Sequence, residues 1–404
     1  MGRRVSTSTV VVLGLLSTFG PISLDLYLPS LPQLADELHT SASAAQLSIT
    51  FCLLGLAVGQ LVAGPLSDRY GRRRPLVVGL ALYLLTSLAC AFAPSIEVLL
   101  LLRLLQGLAG AAGLVIARAV ARDLYSGREL VVFFARLTLV SGLAPVIAPV
   151  AGGQLARFTD WRGIFAVLAA FGVVLLIAGL IGVPETLPSD RRLDREIGST
   201  LRGFGGLIRD RVFVGTALTS GLASASMFAY IAGATFVLQR IYGLSAQGFS
   251  FVFGANSIGI MVMSQVGARL VRRHRPERVL SIGLTGNMAG SIGLAVTVFG
   301  GLGLPWLVGS LFVMVASLGM VFPNAMAIAL AEHGAQAGTA SSVLGLLQYV
   351  VGALVAPLVG IAGEDTAVPL GVVAFCASAS AVAVFVLMVR NRVPVESAER
   401  VSAG

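Results

Sequence analysis

No lysine occurs among the 404 residues, and charged side chains of either sign make up only 12% of the chain. The 28 basic residues are therefore all arginines, set against 19 acids for a net charge of +9. In a soluble protein that balance would suggest a nucleic-acid surface. Here the arginines sit in short loops between apolar runs, where they orient a chain in a bilayer and meet lipid headgroups, so no nucleic-acid partner is expected. Cysteine and histidine are scarce as well. Cys52, Cys90 and Cys376 each fall inside an apolar segment with no Cys or His at ligand spacing, and His39, His274 and His333 map to loops or helix ends. That pattern argues against a metal, against an intramembrane histidine relay and against a membrane enzyme.

What the chain has in abundance is apolar length. Hydrophobic residues make up 56% of it and the mean hydropathy is +0.90, far from a soluble globular average. Windows of about 20 apolar residues, the length that crosses a bilayer, recur throughout. They predict an all-α membrane protein of twelve transmembrane helices, over 9–33, 46–66, 75–93, 97–121, 131–156, 162–183, 212–237, 247–270, 278–299, 304–330, 338–361 and 367–389. Met1-Gly-Arg-Arg followed by Val10–Leu16 has the order of a signal peptide, but no small-residue cleavage site follows, so it is read as an uncleaved first helix.

The arginines set the expected topology. Arg3 and Arg4, Arg69–Arg74, Arg122 and Arg128, the segment after the sixth span, Arg269–Arg278, and Arg390, Arg392 and Arg400 share one side, against Arg157, Arg162 and Arg240 on the other. By the positive-inside rule, both termini are cytoplasmic. The polar stretch from Pro184 to Arg211 holds six arginines and five acids and divides the spans into six and six. The expected organisation is an N-terminal bundle over 1–183, a cytoplasmic linker over 184–211 and a C-terminal bundle over 212–404. Gly267-Ala-Arg-Leu-Val-Arg-Arg-His-Arg-Pro276 after the eighth span echoes Gly64–Pro75 after the second, as parallel halves would require.

Asp25, Arg103 and Arg118 are ionisable residues within spans, where a charge costs several kcal/mol unless it meets water or a partner. Asp25 has Pro21 four residues before it and Pro29 four after, so the helix around it is expected to be disturbed, with freed backbone groups lining a cavity. The first and fourth spans run oppositely, which puts Asp25 and Arg103 at comparable depth, about 9 to 12 Å from the span ends. They can meet or share one aqueous cavity, with Asp25 carrying a proton and Arg103 tuning it. Arg118 is expected to snorkel near the cytoplasmic end. In the loop, Asp68 can receive a helix N-terminus or an arginine, and Arg72 or Arg73 can reach Asp123, contacts suited to a latch made in one conformation only.

At this point a family pattern is legible. Gly64-Pro-Leu-Ser-Asp-Arg-Tyr-Gly-Arg-Arg resembles motif A of the major facilitator superfamily, which places Gly64, Asp68, Arg69, Gly71, Arg72, Arg73 and Asp123 in the latch. Arg103-Leu-Leu-Gln-Gly-Leu-Ala-Gly-Ala-Ala112 resembles motif B. Pro149-Val-Ala-Gly-Gly153 is similar to motif C, the antiporter signature, carried here by Pro149, Gly152 and Gly153. Ala144 and Ala148 stand where that motif usually has glycines, thickening a face that packs against another helix. Leu24–Pro32, Ala117–Tyr125, Trp161–Phe165 and Pro184–Pro188 resemble the Bcr/CflA group of drug exporters. The resemblance implies two pseudo-symmetric six-helix bundles in the inner membrane and proton-driven antiport of phenicol- or bicyclomycin-like antibiotics. It implies no cofactor beyond the proton gradient and a working monomer.

Tyr27, Gln106, Tyr230, Asn256, Gln348 and Tyr349 are the uncharged candidates for hydrogen bonding a small molecule among apolar walls. Export of an endogenous metabolite, or proton-coupled uptake of a nutrient, would use the same acid and latch.

Overall fold

A computed structural model describes residues 7–125, 127–188, 207, 209–331, 337–363 and 365–390. It is all-helical among the described residues, and ten of its helices are long and apolar enough to cross a membrane. The remaining two of the expected twelve segments are a first span built in pieces and a fifth span, Gly127–Leu155, whose described apolar stretch is Leu143–Leu155. The His333 and linker positions 189–206 lie outside the described residues.

The first segment is Thr7–Leu16, then Phe19–Asp25, a tight turn Leu28–Ser30, and Leu31–Glu37. The sequence expectation of one span over 9–33 is thus met by a broken rod. Proline explains the breaks, because Pro21 and Pro29 have no N–H for the carbonyls of Ser17 and Asp25. The hydroxyls of Ser17 and Thr18 turn back onto the Gly14 and Leu15 carbonyls, at 2.6 and 2.7 Å.

The second span, Ala42–Tyr70, starts where the Ser41 hydroxyl accepts the Ala44 N–H at 3.1 Å. It ends at Gly71, whose φ of +86° no side-chain-bearing residue adopts without strain, and the third span, Arg73–Ala91, follows at once. The fourth, Ile96–Leu124, lies against the second at backbone contact: a methyl on Gly107 would sit 2.1 Å from the Cys52 carbonyl oxygen. The sixth, Trp161–Gly182, is capped by the Asp160 carboxylate, which accepts the Gly163 N–H at 2.9 Å. Arg162 at its start donates to the carbonyls of Ala91 and Ala93, at 3.1 and 2.9 Å, closing the end of the third span.

The remaining spans are Arg211–Ile241, Ala246–Leu270, Pro276–Phe299, Leu304–Leu330, Ala337–Val355 with its extension Ala356–Gly360, and Val368–Val389. Contacts divide the chain into two compact units, Met1–Gly198 with Thr235–Gly254, and Ser199–Ala234 with Ala255–Gly404. The hairpin at 235–254, formed by the end of the seventh span and the start of the eighth, packs within the first unit. The second unit has a buried polar knot in its core. Asn287 donates to Ser226 Oγ and to the Met314 carbonyl, at 3.2 and 3.0 Å, and accepts from Ser378, whose hydroxyl also bonds Ser291.

Candidate functional site

Asp25 is the last residue of the middle piece of the first span, at the point where the helix gives way. Its side chain is buried, with 5% of the residue exposed, and it makes no hydrogen bond or ion pair among the described residues. The fifth span seals the same break. A methyl built on Gly152 would lie 1.9 Å from the Leu26 carbonyl oxygen, so only glycine lets the motif C segment approach the residue next to the acid. A methyl on Gly153 would lie 2.1 Å from Ser250 Oγ, the Gly153 carbonyl accepts from Gln247 Nε2 at 2.8 Å, and Pro149, Ala144 and Ala148 of the same helix are buried.

Beyond the break, carbonyls of the first span take further donors from the end of the seventh. Pro32 has no N–H for the Leu28 carbonyl, which accepts instead from the Leu31 N–H in the tight turn and from the Thr235 hydroxyl at 2.8 Å. Gln239 Nε2 donates to the Pro29 carbonyl at 3.1 Å. Arg240 donates to the Pro32 carbonyl at 3.3 Å and pairs with the Asp36 carboxylate. Sequence reading had no signal for this set, since it joins residues about 205 positions apart.

Arg103 is fully buried and held by its own neighbours. Its guanidinium lies over the rings of Tyr27 and Phe165, 4.6 and 5.5 Å from their centroids. Nη1 donates to Gln106 Oε1 and Nε to the Ser48 carbonyl at 3.3 Å. Gln106 in turn donates to Ser87 Oγ at 2.7 Å, and the Tyr27 hydroxyl bonds Ser48 Oγ at 2.9 Å. Nη2 has no hydrogen-bond partner among the described residues. Arg103, Gln106 and Tyr27 therefore form one cluster, whereas Asp25 and Arg103 make no ion pair. Arg118 occupies an exposed position on the fourth span.

The loop after the second span is tightly wired. Arg72 Nε donates to Asp123 Oδ2 at 2.9 Å, and Nη1 donates to Ser67 Oγ at 2.8 Å and to Asp68. Burial alone pulls the Arg72 guanidinium toward neutrality, but Asp123 and Asp68 outweigh that and hold it more firmly protonated than a free arginine. Glu185, quoted in the sequence only as part of Pro184–Pro188, accepts the backbone N–H groups of Arg72 and Arg73 at 2.8 and 3.2 Å. Thr186 donates to Asp123 at 2.7 Å, and Arg73 caps the Leu180 carbonyl at 2.7 Å. Gly64, by contrast, has room: a methyl there would find only Val115, at 3.9 Å.

In the second unit the uncharged candidates pair locally. Asn256 Nδ2 donates to the Tyr230 hydroxyl at 2.9 Å, and Gln348 Nε2 to Ser220 Oγ at 2.7 Å. Asn256 Oδ1 has no hydrogen-bond partner among the described residues, and Tyr349 is half-buried.

The geometry and motifs have a counterpart in known proteins. The family model described as Major Facilitator Superfamily matches residues 13–357. The chain belongs to the major facilitator superfamily. This transporter is 41% identical over 385 residues to the uncharacterized MFS-type transporter YdgK of Bacillus subtilis, covering 95% of each chain. It is 31% identical to the bicyclomycin resistance protein homolog of Haemophilus influenzae, over 97% of this chain and 99% of that one. It is 30% identical to a chloramphenicol resistance protein of Pseudomonas aeruginosa, over 93% and 88%. Among solved structures, the nucleoside transporter NupG superposes with a TM-score of 0.75 at 14% identity, covering 95% of this chain and 99% of that one, a likeness of fold. The chain is thus a multi-pass membrane transporter and not an enzyme.

Proposed function

We propose that this transporter exports small drugs of the phenicol or bicyclomycin type in exchange for protons, across the inner membrane and by alternating access, with both termini cytoplasmic. The observation that carries the reading is Asp25, a buried carboxyl at a helix break that has no hydrogen bond or ion pair among the described residues. Such a group can take up or release a proton without breaking a bond to any described residue. A charged carboxylate in that place calls for water, a cation or a donor. Proton and drug are then competitors for one acid, which is the least an antiporter needs. The names of two relatives at 31% and 30% identity support antibiotic export, and the motif C segment packed on the break supports exchange.

In this reading Arg103 and its cage of Tyr27, Gln106 and Phe165 shape the polar wall near the acid. Tyr230, Asn256, Gln348 and Tyr349 supply hydrogen bonds to the drug, and the Arg72–Asp68–Asp123 set biases the conformational equilibrium. The test uses inverted membrane vesicles energised to an acidic interior, to which chloramphenicol, florfenicol or bicyclomycin is added. Drug-induced proton release that vanishes in Asp25→Asn supports antiport. If none of the drugs moves protons through correctly inserted protein, the resistance reading falls, and a metabolite exporter or nutrient symporter takes its place.

A further inference from the structure

A pocket of about 490 Å³ opens in the second unit where the ninth span begins and the twelfth ends. Its volume falls within the range of small-ligand sites, about 300–1,000 Å³. Arg275, Arg278 and Arg390 line it together with Ser281, and Glu277 contributes the one carboxylate. Nothing in the transport reading uses these residues.

Two features narrow what the pocket takes. The first is charge: three guanidinium groups against one carboxylate make an anion receptor, and arginine forks match the oxygens of a phosphate. The second is an acceptor. Glu277 is ion-paired with Arg275, whose Nε stands 3.6 Å from Oε2, but that is too long for a hydrogen bond, and the buried Oε2 has no hydrogen-bond donor among the described residues. A ligand that satisfies both must carry a phosphate and, close to it, an N–H or O–H donor.

The apolar lining decides between a free phosphate compound and a lipid. Ile282 and Phe385 form that side of the pocket, and Ile282 is half exposed on the face of an apolar span, so the pocket runs out onto the surface that meets acyl chains. Basic pockets between spans at the membrane boundary are suited to phospholipid headgroups. We propose that this pocket is a phospholipid headgroup site. Arg275, Arg278 and Arg390 hold the phosphodiester, and Glu277 accepts from the ammonium of phosphatidylethanolamine or a hydroxyl of phosphatidylglycerol. Phosphatidylcholine, whose quaternary ammonium has no N–H, is discriminated against because it leaves Glu277 Oε2 without a hydrogen-bond donor.

Native mass spectrometry of the full-length protein, titrated with each of the three lipids, tests the site. Phosphatidylethanolamine and phosphatidylglycerol are expected to be retained about tenfold more tightly than phosphatidylcholine by the wild type. Arg275→Gln/Arg278→Gln/Arg390→Gln should lower retention of all three, and Glu277→Ala should erase the headgroup preference while leaving phosphatidylcholine bound as before. Equal retention of the three lipids by the wild type overturns the proposal without reliance on any variant. So does undiminished retention by a triple variant that melts like the wild type. Displacement by water-soluble glycerophosphoethanolamine at the same concentration as the lipid would mean a free phosphate ligand, and would also overturn it.

Discussion

Substituting Gly152 by alanine adds one methyl at the point where the fifth span meets the break beside Asp25. That methyl would begin 1.9 Å from the Leu26 carbonyl oxygen and 2.9 Å from its carbon. A carbon and a carbonyl oxygen rest at about 3.3 Å, so one of the two backbones must retreat by about 1.4 Å. No flexible side chain can absorb the change, because the obstacle is main chain. Overpacking of this kind costs about 1–3 kcal/mol, roughly 5- to 150-fold in an equilibrium. The retreat falls on the Leu26–Tyr27 peptide, one residue beyond Asp25, so both stability and proton coupling should suffer. Thermal unfolding in detergent and drug-induced proton release in inverted vesicles read the two effects separately. Gly64→Ala is the matched control, since its methyl finds only Val115 at 3.9 Å and should leave both readouts near wild type. Wild-type melting and proton release in Gly152→Ala would refute the argument that this contact is rigid and coupled to the acid.

Other outcomes follow from the same geometry. Gly71→Ala must place a side chain at φ +86° and should lower stability by about 1–2 kcal/mol, seen as an earlier melt than Gly64→Ala. Asp68→Asn removes one of the two carboxylates paired with Arg72 and, if the latch reading holds, should slow transport while surface expression is unchanged; normal transport rates would sink the latch. Arg103→Lys keeps the charge but cannot lie flat over Tyr27 and Phe165 while reaching both Ser48 and Gln106, so a loss of about 1–3 kcal/mol in detergent unfolding is expected. Asn287→Leu removes an acceptor of Ser378 and the donor to Ser226 and the Met314 carbonyl, and should lower the melting temperature without altering the drug specificity of any residual transport.

Much of the architecture was legible in the apolar windows, and its errors were regular. The windows 46–66 and 97–121 became helices Ala42–Tyr70 and Ile96–Leu124, because hydropathy sees only the stretch that avoids water, whereas a helix continues until a cap or a glycine ends it. The break at Asp25 was legible from Pro21 and Pro29, whose missing N–H groups are a local property. A contact from Arg72 or Arg73 to Asp123 was expected from charge and span ends, and Arg72 makes it, but the partner Glu185 was not expected, although it stood in a recognised stretch. Least legible were contacts set by tertiary packing: the aromatic cage around Arg103, the Gly152 methyl space against Leu26, and the Thr235, Gln239 and Arg240 donors. Their residues are common ones, and only the fold makes them neighbours.

The carbonyls of Leu28, Pro29 and Pro32 carry one more consequence. Thr235 and Gln239 are neutral donors, and each such bond contributes about 0.5–1.5 kcal/mol net because water can take the donor's place. Arg240 is the charged donor of the three, and with Asp36 largely exposed its ion pair is sensitive to salt. The hairpin over 235–254 is therefore held to the first span by bonds that hydrate one at a time. Its docking strength should soften gradually with ionic strength and with wetting, instead of failing at a single contact.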